Sequence, residues 1–345
     1  MAARRVLVTG CSSGIGLAVA ARLARDELRR FKGQPFNLLD QKKERSDTRT
    51  DTTTSTSTAS IHCFPPPPEA VAATMRDLGK RGPLEKAAGD SLNETLEIKQ
   101  LDACCEASIK ECVDSLPDRR VDVLVNNAGV GMIGPLECQS IDAMKELFDT
   151  NFFGLARLVR ELLPDMKRRR SGHIVVMSSV MGTQGLLFND VYSASKFAVE
   201  GFCESLAVQA MKFNIKTTLV EPGPVVTEFE RKVYEDAEKM DLSGTDEETA
   251  KIFREIYLPY SVKVFASLGQ TPEEVAEFCL YSNPTGRLPL DAFYKMIFKH
   301  SSVFNATLAV LRVINETGRC YPGYYFRQIQ SRCISPLPMR AQKSS

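Results

Sequence analysis

Apolar residues along the 345-residue chain follow two spacings. Short, largely apolar runs, Val6-Leu7-Val8, Val71 to Met75, Val121 to Val125, Ile174 to Met177 and Thr217 to Val220, have the β-branched character of strands buried on both faces. Between them the period lengthens. Ile15, Leu17, Ala18, Ala21 and Leu23 lie on one side of a helix with Arg22, Arg25 and Asp26 on the other, and helical patterns cover 140–168 and 192–212. Strands alternating with helices predict an α/β protein: one domain built on a doubly wound, mostly parallel sheet with helices on both faces.

One stretch breaks the pattern. Residues 33–70 interrupt the first strand–helix–strand unit, Ser46 to Ser60 is dominated by Ser and Thr, and Pro65 to Pro68 is an unbroken proline run. Such a segment has little to bury and is expected to be a disordered, low-complexity insertion. It is either a surface insertion or a stretch foreign to the functional protein, and its length inside a compact unit favours the second. The domain is therefore expected over 1–32 and 71–285, with a C-terminal extension at 286–345.

Composition narrows the function. With 44 Lys plus Arg against 43 Asp plus Glu, the formal net charge of +1 gives no reason to expect a nucleic-acid partner. The 10 cysteines have no zinc spacing and are too dilute for a disulfide framework, so no metal and a reducing, cytoplasmic setting are expected. Met1 to Arg5 runs straight into a strand and no stretch approaches about 20 apolar residues, so neither a secretory leader nor a membrane span is expected. Asn93, Asn305 and Asn315 open N-x-Ser/Thr triplets that read as chance matches.

Five short motifs carry candidate chemistry. Thr9-Gly10-Cys11-Ser12-Ser13-Gly14-Ile15-Gly16 joins a strand to a helix, with glycines for a tight turn, for close approach to a ligand and for helix–strand packing. The helix end then offers free N–H groups to a pyrophosphate. Asn126-Asn127-Ala128-Gly129 follows the Val121 to Val125 strand. Ser178-Ser179 ends the Ile174 to Met177 strand. Tyr192 and Lys196, four residues apart, share one face of a helix. Pro222-Gly223-Pro224 follows the last strand and precedes Thr227. Each is weak alone; in this order, at strand ends and helix starts, they are a strong set.

This order of TGxxxGxG, NNAG, Ser, YxxxK and PG resembles the short-chain dehydrogenase/reductase family over roughly residues 4–30 and 71–280. Within it, the runs Phe148 to Gly154, Phe188 to Ala207 and Val220 to Glu230 are similar to members acting on retinoids, and next to members acting on 17β-hydroxysteroids. The resemblance implies Tyr192 as acid/base, Lys196 favouring its phenolate and holding the nicotinamide ribose, Ser179 binding the substrate oxygen, and Asn151 positioning a water linked to Lys196. It implies a cofactor cleft of Thr9, Gly10, Ser12, Ser13, Gly14, Ile15, Gly16, Arg76, Asp102, Asn126, Ala128, Gly129, Tyr192, Lys196, Pro222, Gly223, Val225 and Thr227. Asp102 matches the acid that contacts the adenine amino group.

Cofactor choice turns on the end of the second strand. NAD enzymes place an acid there for the ribose 2′-OH. This chain has Arg76, whose guanidinium suits a 2′-phosphate, so NADP(H) is expected. An ordinary solvated pair between Arg76 and Asp77 is the competing reading. Residues 225–270 offer Val225, Val226, Phe229, Val233, Tyr234, Ile252, Phe253, Ile256, Tyr257 and Leu258, implying a lipophilic small-molecule substrate, retinoid or steroid. Residues 292–314 mix Phe293, Ile297, Phe298 and Leu308 with Lys295, Lys299 and Arg312. That suits a helix lying peripherally on the cytosolic face of a membrane through 292–333, or packing on the domain or on the partner of a homodimer. Cys320 and Cys333 stand beyond it as acylation candidates. Residues 278–291 are too short and turn-rich for the further strand that related enzymes carry there.

Overall fold

The computed structural model describes residues 4–31 and 70–281. The expected insertion, apart from Ala70, the 286–345 extension, the 292–333 segment and both acylation candidates lie outside the described residues. The stretch 278–291 is described only to Tyr281, where it continues a helix.

Six parallel strands, β1 (Arg5–Val8), β2 (Ala70–Met75), β3 (Leu96–Gln100), β4 (Val123–Asn126), β5 (Gly172–Met177) and β6 (Ile215–Val220), form one sheet in the order β3-β2-β1-β4-β5-β6. Five are the apolar runs predicted from sequence, within two residues at each end. β3 was not predicted. It is a described edge of the sheet, and its LEIKQ alternates buried Leu96 and part-buried Ile98 with Glu97 and Lys99, which pair with each other at 3.2 Å. Charge on an edge strand blunts edge-to-edge pairing and hides the strand from an apolar-run search.

Because strand side chains alternate, the strands inside the sheet feed two cores. Leu7, Ala72, Leu124, Ile174 and Val176 face α3 (Glu106–Asp114), α5 (Gly154–Arg169) and α6 (Asp190–Ala210), meeting Ile109, Leu158 and Val199. Val6, Val8, Val71, Val123, Val125 and Val175 face the opposite way. They meet Val19 and Ala24 of α1 (Gly14–Phe31), Leu84 of α2 (Gly82–Ala88) and Val275 of α10 (Pro272–Tyr281). At about 1.5–3 kcal/mol per fully buried large aliphatic side chain, these two layers drive the fold.

The helical pattern at 140–168 proves to be two helices, α4 (Ile141–Phe148) and α5, joined by a π-helical turn at Asp149–Phe153. After β6, α7 (Glu228–Glu238), α8 (Glu247–Lys251), a second π-helical turn (Ile252–Tyr257) and α9 (Leu258–Leu268) make a cap with its own core of Ile133, Phe188, Ala237, Leu242, Phe253, Tyr257 and Leu258. Val226 N–H donates to Gln270 O at 2.9 Å and Gln270 N–H to Pro224 O at 2.8 Å, pinning both ends of the cap together. Among the described residues no helix is long and apolar enough to cross a membrane.

Candidate active site

After β3 the chain crosses back to lay β4 on the other side of β1. At such a reversal the loops leaving the two strands diverge and open a crevice at their carboxyl ends. A cavity of about 400 Å³ occupies it and runs on under the cap.

The glycine loop builds one wall. Gly10 has φ +72°, and a Cβ there would lie 2.9 Å from Ala128 Cα; one on Gly16 would lie 2.3 Å from Gly10 O. Neither position admits a side chain, so the loop folds tightly onto the start of α1. Gly10, Ser12, Ser13, Gly14 and Ile15 line the cavity, and the first turn of α1 carries no acid to oppose an anion. Thr9 and Gly16 do not line it. Thr9 is fully buried, and its Oγ1 accepts from Asn127 N–H and Ala128 N–H, both at 3.0 Å.

One expectation at this end needs correction. Asn126 was expected in the cleft, but it is the last residue of β4, buried between neighbouring strands, and the cavity wall is Asn127, Ala128 and Gly129. Sequence reasoning passed over Asn127, whose Nδ2 donates to Thr9 O at 3.0 Å and Gly10 O at 3.2 Å and so ties the two loops together. Its position inside NNAG was the available signal. Asn151 was expected beside Lys196 with a water. Its Oδ1 accepts from Val130 N–H at 2.8 Å, and its Nδ2 donates to Val130 O at 2.9 Å and to Oγ of Ser195, the residue before Lys196, at 3.1 Å. The π-helical turn aims Asn151 inward, where it fastens the loop after Gly129 to α6, outside the cavity lining.

Arg76 follows β2 directly and lines the cavity with Asp102. The competing Arg76–Asp77 pair does not form. Asp77 accepts from Gly79 N–H at 2.9 Å and lies 4.0 Å from Lys80, while the Arg76 guanidinium has no ion-pair partner among the described residues. Asp102 Oδ1 accepts from Cys104 N–H at 3.0 Å, which fixes the carboxylate at the cavity edge.

Ser179, Tyr192 and Lys196 meet midway along the cavity. Ser179 caps a short 3-10 turn after β5, its Oγ accepting from Met181 N–H at 3.2 Å, and its side chain faces the Tyr192 hydroxyl. Buried Lys196 donates to Met177 O at 2.9 Å and lies 5.7 Å from the centre of the Tyr192 ring. Burial pulls the Lys196 ammonium down to about 8, against the opposing pull of Glu200. Burial first, then the Glu230 carboxylate, push Tyr192 well above its ordinary value, opposed by the Ser179 side chain. Tyr192 is thus a phenol, a poised proton donor.

Beyond Tyr192 the wall turns apolar. Pro222, Gly223, Val225 and Thr227 carry it past the strand end, and Phe229, Tyr234, Tyr257, Val264 and Phe265 enclose the far chamber. Of the cap residues singled out in the sequence, Val225, Phe229, Tyr234 and Tyr257 line the chamber. Phe253 and Leu258 pack inside the cap, and Val226 is exposed. Sequence reasoning missed Asn189, whose Nδ2 donates to Tyr257 Oη at 2.7 Å, and Glu230, which lines the chamber beside Phe229.

The short chain dehydrogenase family model matches residues 75–238. Retinol dehydrogenase 8 of Bos taurus is 49% identical over 320 residues, covering 93% of this chain and 88% of that protein. The chain belongs to the short-chain dehydrogenase family. This short-chain dehydrogenase is also 42% identical to 17-beta-hydroxysteroid dehydrogenase type 1 of Homo sapiens over 282 residues, 81% of this chain and 74% of that one. Among solved structures it is similar to actinorhodin polyketide ketoreductase with NADPH, at 25% identity and TM-score 0.60, covering 82% of this chain and 91% of that one. The doubly wound parallel sheet predicted from sequence, six-stranded in the structure, is that of the family.

Proposed function

We propose that this short-chain dehydrogenase is an NADP-dependent oxidoreductase that interconverts all-trans-retinal and all-trans-retinol. The observation that carries the reading is the meeting of Ser179, Tyr192 and Lys196 where a nucleotide-shaped cleft joins an apolar chamber. The residues present fit the dinucleotide: a glycine cradle that a Cβ would fill, an α1 N-terminus with no acid in its first turn, and Arg76 at the end of β2 with no ion-pair partner among the described residues. When bound, the nicotinamide supplies or accepts the hydride.

The chain's own residues handle everything else. Ser179 Oγ donates to the substrate carbonyl, orienting it toward the Tyr192 hydroxyl. As the carbonyl carbon accepts hydride, its oxygen takes the phenolic proton, and the strongly protonated state of Tyr192 is the form this direction needs. Lys196 stabilises the resulting phenolate with its charge and binds the ribose. Phe229, Tyr234, Tyr257 and Phe265 surround the lipophilic chain and exclude water. Arg76 selects the 2′-phosphate.

The retinoid reading is supported by the 49% identity to Bos taurus retinol dehydrogenase 8 and the aromatic chamber. A steroid is the second reading, favoured by the 42% identity to the human 17-beta-hydroxysteroid enzyme. NADPH oxidation measured side by side with all-trans-retinal and estrone decides between them. The retinoid reading expects the higher kcat/KM with retinal; the higher value with estrone overturns it.

A further inference from the structure

The substrate chamber holds a carboxyl group that the reaction as derived does not use. Glu230 stands at the third position of α7, behind the Thr227 cap, whose Oγ1 accepts from Glu230 N–H at 3.3 Å. Thr-x-x-Glu is the sequence of a capping box, in which the glutamate turns back to the N–H of the cap residue. Here the backbone half of that box forms and the carboxylate half does not. Among the described residues the Glu230 carboxyl accepts no hydrogen bond and pairs with no cation, yet it lines the cavity. Tyr192 lines the same cavity, and the Glu230 carboxylate is near enough to act on its hydroxyl.

An unpartnered carboxyl on the wall of an apolar chamber is unfavourable unless it acts on what enters. We propose that Glu230 is a specificity-determining residue that makes the chamber accept neutral, hydrogen-bonding lipophiles and reject lipophilic acids of the same shape. A substrate alcohol brings a donor and no charge. A carboxylate brings a second negative charge into a site that cannot solvate it, and such repulsion discriminates more strongly than any added attraction. This rests on the oxidoreductase reading and deepens it, because the acid is the next oxidation level of the aldehyde substrate.

The discrimination depends on pH. Burial pushes the Glu230 carboxyl up to about 7. The ionisable groups that its charge reaches are Tyr192 from α6, Tyr234 from its own helix and Tyr257 from the second π-helical turn, each of them raised by it and by burial and so protonated in this range. Lys196, Arg76 and Asp102 also line the cavity, and Lys196 loses its proton only as pH rises through about 8. Below about pH 7 Glu230 is neutral and the barrier to acids falls.

The test is equilibrium binding of two matched pairs, all-trans-retinol with all-trans-retinoic acid and hexadecanol with palmitic acid. The full-length protein is loaded with NADPH, and quenching of the cofactor's fluorescence is the readout. At about pH 7.5, Glu230→Gln is expected to tighten acid binding by at least about fivefold, the effect of one unit charge at about 4 Å even in water-like surroundings. Alcohol binding is expected to move less than that. In the wild-type protein, lowering the pH from about 7.5 to about 6 should tighten acid binding with no such change in the Gln variant. Equal acid binding by both proteins, or pH-independent binding by the wild type, overturns the proposal and leaves the oxidoreductase reading standing. Discrimination confined to the hexadecanol pair, with neither retinoid bound, supports the proposal and overturns the retinoid reading. The wild-type pH series needs no variant, so a poorly folded Gln protein does not block the test.

Discussion

The two ends of the cavity are built differently. The nucleotide end is made of backbone: a glycine loop, the open end of α1 and the Asn127 link that binds Thr9 and Gly10 to the loop after β4. The substrate end is made of side chains on a cap that has its own small core, with Phe188 packed edge-on against Phe253 at 5.0 Å and Tyr257 at 5.2 Å. A backbone cradle tolerates few residues, and the same ligand part always fits it. A side-chain chamber can be reshaped one substitution at a time. One fold can thus keep its cofactor while its substrate changes.

Breaking the cap core should separate the two ends most sharply. Phe253 is fully buried within it. Phe253→Ala should destabilise the cap by about 3–5 kcal/mol, as large aromatic truncations in cores do. The expected result is a raised KM for the lipophile with NADPH affinity unchanged, checked by steady-state kinetics and cofactor titration. Equal damage to both would mean that the cap and the cradle are one cooperative unit.

Arg76→Asp attacks the other end. Losing one charge-assisted contact should cost about 1.5–3 kcal/mol of the preference for NADPH. The NADPH-to-NADH ratio of kcat/KM should fall accordingly while the KM for the lipophile stays as in the parent. A ratio that did not move would remove Arg76 from cofactor selection.

The smallest expected effect is a pH dependence. The Lys196 ammonium titrates at about 8 because burial disfavours its charge, so it is charged below that value and neutral above it. NADPH affinity should weaken as pH rises from about 7 to about 9, and Lys196→Met should abolish that slope. Fluorescence titration across the range checks it, and an unchanged slope in the variant would assign the titration elsewhere.

The same contrast explains what could be read from the sequence. The glycine loop and the Tyr192–Lys196 pair were legible because spacing constrains them: no Cβ fits at Gly10 or Gly16, and a helical turn carries Tyr192 to Lys196. The five apolar strands were legible because both of their faces are buried. Strand β3 was not, since half of its side chains face solvent at the sheet edge. Asn126 and Asn127 could not be told apart, because the strand end decides which of two adjacent asparagines turns outward. Asn151 lay in a helical pattern whose π-helical turn no spacing announces. In the cap, apolar residues facing the chamber and those facing its core share one alphabet, so Tyr234 and Phe253 looked alike. Glu230 was hidden by its place in an ordinary capping sequence.

The central claim is that the cradle and the chamber meet at one proton donor, Tyr192. Tyr192→Phe removes only the hydroxyl, leaving the ring against Phe229 and the Lys196 bond to Met177 O in place. The decisive measurement is single-turnover oxidation of bound NADPH by all-trans-retinal in the parent and this variant, with the NADPH Kd of each. The expected result is a fall in rate of at least about 100-fold, within the usual contribution of general acid catalysis, with Kd nearly unchanged. A variant that oxidised NADPH at the parent rate would contradict it.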